Sequence, residues 1–247
     1  MSQAVERAIS ILEMISKGPQ RPQDVAERLQ VHRTTALRLM QDLAKGGLAR
    51  KNEDGTFTAG YRLAGLAHAA LEQFDLRTIA HPHLRDLCRE LQVTVHIATV
   101  VDDAVVYADK IEPHGKVRLY SEIGKPVRLH ASGVGKAILA FMPPAERAVL
   151  LDGYVFERYT ETTVASPDAF VEELRRIRAR GFSTDDGEFE SFVNCIGHPV
   201  YDATGVVRTA ISVTAIKADT DLEALRARLP AIRRTATAIS SELGWTT

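Results

Sequence analysis

Apolar positions recur at helical spacing through the first 45 residues. Val5, Ala8, Ile9, Leu12 and Ile15 give a helix over 4–17 one apolar face, and Gly18-Pro19 closes it. A second helix opens at Pro22 with Val25, Ala26 and Leu29 turned inward. After a short turn at 30–32, Ala36, Leu37, Met40, Leu43 and Ala44 mark a third, which Thr34 or Thr35 can cap and Gly46-Gly47 stops. Residues 48–51 alternate as a strand, Glu53-Asp54-Gly55 turns, and 56–58 return, which predicts a hairpin. Two more helices follow, over 61–74 and about 76–91, the second with Cys88 on its apolar stripe as a packed thiol.

The period then drops to two. Residues 93–101 and 104–111 read as strands about Asp102-Asp103, and 117–123 as a third. A glycine-bearing loop over 124–135 enters a helix ending near Met142, and Pro143-Pro144 stops it and opens the next. A capped helix spans 166–181, a hairpin joins 192–201 to 206–216, and a last helix runs over 219–243 with a kink at Pro230. Strands, then helices, then strands predict an α+β fold rich in antiparallel pairing. The expected division is a small helical module with a hairpin over 1–60, a connecting helix over 61–76 and an α+β domain over 77–247.

The front segment carries its own chemistry. A helix pair joined by a tight turn, the second exposing Arg33, Thr34, Thr35 and Arg38, is the pattern that reads duplex DNA, and the hairpin adds Arg50 and Lys51 as a wing suited to phosphates. Formal net charge over the 247 residues is −1, so a whole-chain electrostatic attraction to nucleic acid is excluded. Between Arg21 and Lys51, however, seven Lys or Arg residues face three acids. Two cysteines, Cys88 and Cys195, rule out a disulfide framework and fit a reducing cytoplasm. The start lacks a signal-peptide pattern, and no apolar run approaches the ~20 residues of a membrane helix.

In the second half, Ser132-Gly133-Val134-Gly135-Lys136 resembles part of a phosphate loop. It lacks the full spacing, and Ala137 stands where a magnesium-binding hydroxyl belongs, so a nucleotide hydrolase is rejected and no cofactor is expected. Helix N-terminal N–H groups there suit a small anion instead. Strand alternation puts Cys195 and Gly197 on one face, with Asn194, Ile196 and His198 on the other, and pairs Ser212 with Thr214. Those groups, closed by the 132–135 loop and joined by Asp185 from a preceding loop, would floor a pocket for a small polar ligand. A metal or redox sensor using Cys195 with His96, His130 or His198 is an alternative, though no close-spaced cluster marks a metal site. No Ser-His-Asp set or carboxylate pair suggests an enzyme.

Three stretches carry a family resemblance: Val31-His-Arg-Thr-Thr-Ala-Leu-Arg-Leu39, Lys125-Pro-Val-Arg-Leu-His-Ala-Ser-Gly-Val-Gly-Lys-Ala137, and 180–202 with Asp185 and Cys195. The sequence resembles the IclR family of bacterial transcriptional regulators over essentially its whole length. That resemblance implies a winged helix-turn-helix, a linker helix and a GAF-like effector domain. It also implies dimers that pair on operator DNA, contact with RNA polymerase, and an organic acid or aromatic metabolite as effector. It maps effector contacts onto Gly133, Val134, Asp185, Cys195, Ser212 and Thr214, with Leu119 and Val127 as further walls.

Overall fold

The computed structural model describes residues 3–71, 75–113 and 121–246, and it divides into two compact units, residues 1–74 and 75–247. In the first, α1 (Gln3–Ser16), α2 (Pro22–Leu29) and α3 (Arg33–Lys45) precede a hairpin of β1 (Ala49–Lys51) and β2 (Phe57–Ala59), and α4 (Arg62–Leu71) follows. Gln20 exchanges both backbone hydrogen bonds with Phe57, which ties the α1–α2 connection to the hairpin. Ile11, Ile15, Val25, Ala36, Met40 and Phe57 form the core. Helix α1 buries a stripe turned from the expected one: Ile15 goes in and Leu12 packs against the core as expected, Ile11 joins them, and Val5 and Ile9 stay 48% and 44% exposed. The helix carries apolar residues on two adjoining stripes, and spacing alone does not choose between them. The cap of α3 is also corrected: His32 precedes the helix and its Nδ1 accepts from the Thr34 N–H at 3.4 Å.

The second unit is a five-stranded antiparallel sheet with helices on both faces. Its strands are β3 (Thr94–Val101), β4 (Ala104–Ile111), β5 (Ser183–Asp186), β6 (Val193–Tyr201) and β7 (Val207–Ile216), in the order β4-β3-β7-β6-β5. On one face lie α5 (Leu76–Leu91), α9 (Leu222–Arg226) and α10 (Leu229–Glu242), packed on Ile97, Ile196, Ile211 and Val213. On the other lie α6 (Gly133–Phe141), α7 (Pro144–Leu151) and α8 (Pro167–Arg180), against Ala98 and Ala210. Period-two alternation explains the two layers, since neighbours such as Ala210 and Ile211 must point to opposite faces.

Three expectations change here. The strand expected over 117–123 lies mostly outside the described residues, and Ser121–Ile123 is not strand. Asp185, placed on a loop by the sequence pattern, belongs to β5, paired with Cys195. The terminal helix is two helices, broken at 227–228 because Pro230 lacks the N–H that a continuous helix would need.

Candidate functional site

On α3, Arg33, Thr34 and Arg38 are exposed and Thr35 is half-buried, with Ala36 and Met40 fully buried behind them. Arg50 and Lys51 are exposed on β1, which packs beside α3. Among the described residues these four cations have no ion-pair partner, so their charge is available to a polyanion.

The second unit encloses a cavity of about 330 Å³ between the sheet and the start of α6. Strand register builds its floor. Asp185, Cys195 and Thr214 are successive partners across β5, β6 and β7, and the next row on that face is Ser183, Gly197, Ser212 and His96. Gly133 and Val134 close it from α6. The close approach requires two glycines. A Cβ on Gly197 would overlap the Gly133 carbonyl oxygen and the Ser183 hydroxyl, and one on Gly133 would meet Cys195 Sγ. Ser183 Oγ donates to the Gly133 carbonyl at 2.6 Å, which locks α6 to the sheet.

The floor is polar and largely uncharged. Thr214 Oγ1 donates to Cys195 Sγ at 3.3 Å, and His96 Nδ1 stands 3.5 Å from the same hydroxyl. His96 Nε2 meets Ser121 Oγ at 2.7 Å. Burial drives the His96 pKa down to about 3 and the Cys195 thiol up to about 11, so imidazole and thiol are both neutral. Asp185 is the exception: burial raises its carboxyl to about 6, against the pull of Lys136. Its Oδ1 accepts the Glu188 N–H at 2.7 Å.

Lys136, the lysine of the phosphate-loop-like stretch, does not reach the cavity. It is fully buried and pairs with both carboxylate oxygens of Glu188. That geometry agrees with rejecting nucleotide hydrolysis.

Six of the eight expected effector contacts, Gly133, Val134, Asp185, Cys195, Ser212 and Thr214, therefore line one cavity. Val127 does not. It is buried in the cluster of Val105, Leu129 and Ile138 and hydrogen-bonds the Val105 carbonyl. Leu119 lies outside the described residues. Wall residues that the sequence pattern did not assign include His96, Tyr107, Arg128 and Phe189. The signal for His96 was there, since it alternates inward on β3 and pairs with Ser212.

The metal or redox alternative named three histidines with Cys195, of which His96 shares the cavity with it, with the Thr214 hydroxyl contacting both. His130 commits both ring nitrogens, donating from Nε2 to the Glu157 carbonyl and accepting the Tyr154 hydroxyl at Nδ1, each at 2.8 Å. His198 pairs with Ile211 in register, on the opposite face from Cys195. Among the described residues no group of three or more His, Cys, Asp or Glu is arranged to hold a metal ion.

Residues 68–242 match the family described as bacterial transcriptional regulator IclR C-terminal, and residues 4–53 match the IclR helix-turn-helix domain. The chain is 33% identical over 215 residues to an uncharacterised HTH-type transcriptional regulator, RhmR, of Escherichia coli, covering 87% of this chain and 83% of that protein. It is 29% identical over 223 residues to the HTH-type transcriptional regulator KdgR of the same organism, covering 90% and 85%. Among solved structures, it resembles Thermotoga maritima IclR, with a TM-score of 0.65, 29% identity and 98% of both chains covered. It also resembles the Agobacterium tumefaciens repressor BlcR, with a TM-score of 0.74, 25% identity and coverage of 99% and 98%.

Proposed function

Because the chain belongs to the IclR family of bacterial transcriptional regulators, we propose that a small organic acid or aromatic metabolite in the cavity sets how tightly the helix-turn-helix holds its operator. It is a DNA-binding regulator with a C-terminal effector domain, and not an enzyme. In this reading Arg33, Thr34, Thr35, Arg38, Arg50 and Lys51 touch the duplex. Gly133, Val134, Asp185, Cys195, Ser212 and Thr214 touch the ligand. The division of labour is residues 1–60 for DNA, 61–76 as linker and 77–247 for the effector. The protein acts in the cytoplasm as a dimer or a dimer of dimers, and contact with RNA polymerase belongs to the same reading. No helix among the described residues is long and apolar enough to cross a membrane, which is consistent with that location.

The observation that carries the proposal is the cavity itself: about 330 Å³, walled by hydroxyls, a thiol and one buried carboxylate, in the same chain as an exposed basic reader helix. That volume lies at the small end for ligand pockets and suits a metabolite of a few carbons up to a single ring. A ligand there changes operator affinity only by its differential affinity for the two states of the protein. The test is a gel shift on a duplex selected from random sequence, run against a panel of small organic and aromatic acids. At least one acid should change occupancy at saturating concentration. A panel that alters neither DNA binding nor thermal stability would sink the proposal.

A further inference from the structure

Asp185 brings a carboxylate to the cavity floor, where it is only 5% exposed. Its Oδ1 takes the Glu188 N–H at 2.7 Å, and its Oδ2 has no hydrogen-bond partner among the described residues. The buried cation of this region is spoken for, since Lys136 pairs with both oxygens of Glu188. Lys217 lies 2.7 Å from Asp186, the next residue along β5. The strands beside it bring no charge. Cys195 on β6, Ser212 and Thr214 on β7, His96 on β3 and Tyr107 on β4 are neutral there. The other charges of the wall, Glu122, Lys125, Arg128 and Glu190, are two of each sign. Arg128 stands against the rings of Tyr159 and Phe189, its guanidinium carbon 5.7 Å from both centroids.

The same floor suits an anion. Gly133 and Val134 open α6 and line the cavity, and the first turn of a helix favours negative charge. Gly133 stands so close to Cys195 that a Cβ on it would meet Sγ, and Cys195 is the cross-strand partner of Asp185. Neighbouring strands run about 4.8 Å apart, so a carboxylate seated at the start of α6 lies within about one strand spacing of Asp185. Two negative charges that close, away from water, repel strongly, and carboxyl groups so placed hold a proton between them.

We propose that the effector's carboxylate binds at the start of α6 with one proton held between it and Oδ2 of Asp185, so that the protein takes up a monocarboxylate and a hydrogen ion together. This rests on the reading of the cavity as an organic-acid site. The proton comes from solvent, one O–H bond forms, and no other bond changes. The free protein has room for it: burial lifts the Asp185 carboxyl to about 6, so at neutral pH it is mainly ionised. Binding therefore weakens as pH rises above about 6, and the operator response depends on pH as well as on the metabolite.

The experiment is calorimetric titration of the full chain with lactate, gluconate and benzoate. At pH 8, runs in HEPES and in Tris, which differ in ionisation enthalpy, count the protons taken up. The native protein should take up close to one proton per acid bound, and its Kd should rise by up to about tenfold per pH unit between pH 6 and pH 8. Asp185→Asn keeps an oxygen for the Glu188 N–H and puts a fixed N–H donor where the proton sits. It should bind the same acid without proton uptake, with a Kd that is level across that range and lower than the native value at pH 8. A native protein that binds an acid with no proton uptake and a level Kd overturns the shared proton and leaves the organic-acid site standing. Uptake undiminished in Asp185→Asn does the same, since it puts the proton on another group. If none of the acids binds the native protein at millimolar concentration at pH 6, the organic-acid site fails and the shared proton fails with it. The native titrations decide the matter alone should the variant not fold.

Discussion

Replacing Lys136 by methionine removes a buried cation and leaves Glu188 facing an apolar wall. Removing one partner of a buried ion pair costs about 3–5 kcal/mol, because the survivor becomes an uncompensated charge. Glu188 has an exit: burial already holds its carboxyl at about 7, against the pull of Lys136. Without the cation it stays protonated at neutral pH, which brings the cost toward about 3 kcal/mol. The folded protein holds that proton more tightly than the unfolded chain. The group's contribution is therefore present at low pH and lost as pH rises through about 7. Lys136→Met raises the folded pKa further, so its deficit should grow between pH 6 and pH 8, by up to about 1.4 kcal/mol per pH unit.

Trp245, the chain's one tryptophan, stacks on Tyr201 at 4.8 Å, so its fluorescence reports the C-terminal unit even where the two units melt separately. At pH 7 the melting midpoint should fall by about 6–12 °C, at roughly 2–4 °C per kcal/mol for a unit of this size. The double variant Lys136→Met, Glu188→Leu should recover most of the loss, since an apolar pair of similar volume has no charge to strand. An unchanged midpoint at pH 8, or equal deficits at pH 6 and pH 8, would refute the reasoning.

Two further outcomes concern the reader and the cavity. Arg38→Ala and Lys51→Ala should each lower the magnitude of the salt slope of operator binding by about one unit if the side chain meets a phosphate; unchanged slope and affinity in both would retire those contacts. Ser212→Ala with Thr214→Ala should bind operator as the parent does yet lose the response to the acid that alters occupancy in the native protein, and a retained response counts against the floor as the ligand's contact surface.

How far the sequence pattern reached depended on the range of the forces involved. Helix α3 was legible because one short segment contains its apolar stripe, its exposed cations and its terminating glycines. The convergence of Cys195, Ser212 and Thr214 followed from alternation on two adjacent strands. Strand β5 was not legible. Ser183-Thr-Asp-Asp186 is four polar residues with no apolar period, and its place comes from pairing with β6 and from the Ser183 bond to Gly133. The cap at His32 was missed because histidine competes poorly with Thr34 on propensity, although it stands one residue before the helix. Arg128 lies within a family-like stretch, but its place was not legible there, since only the path of the 152–165 loop brings Tyr159 beneath it.

Strand β6 has a mechanical consequence. Cys195 borders the cavity, and Ile196, the very next residue, packs in the cluster with Leu84, Leu87 and Leu91 of α5. A close-packed interior passes on small shifts instead of absorbing them. Whatever fills the hollow and nudges that strand therefore presses, one peptide unit later, on the helix by which the chain enters its C-terminal half at Asp75. Occupancy on one side of the sheet is thus converted into load on the other without any atom having to cross it.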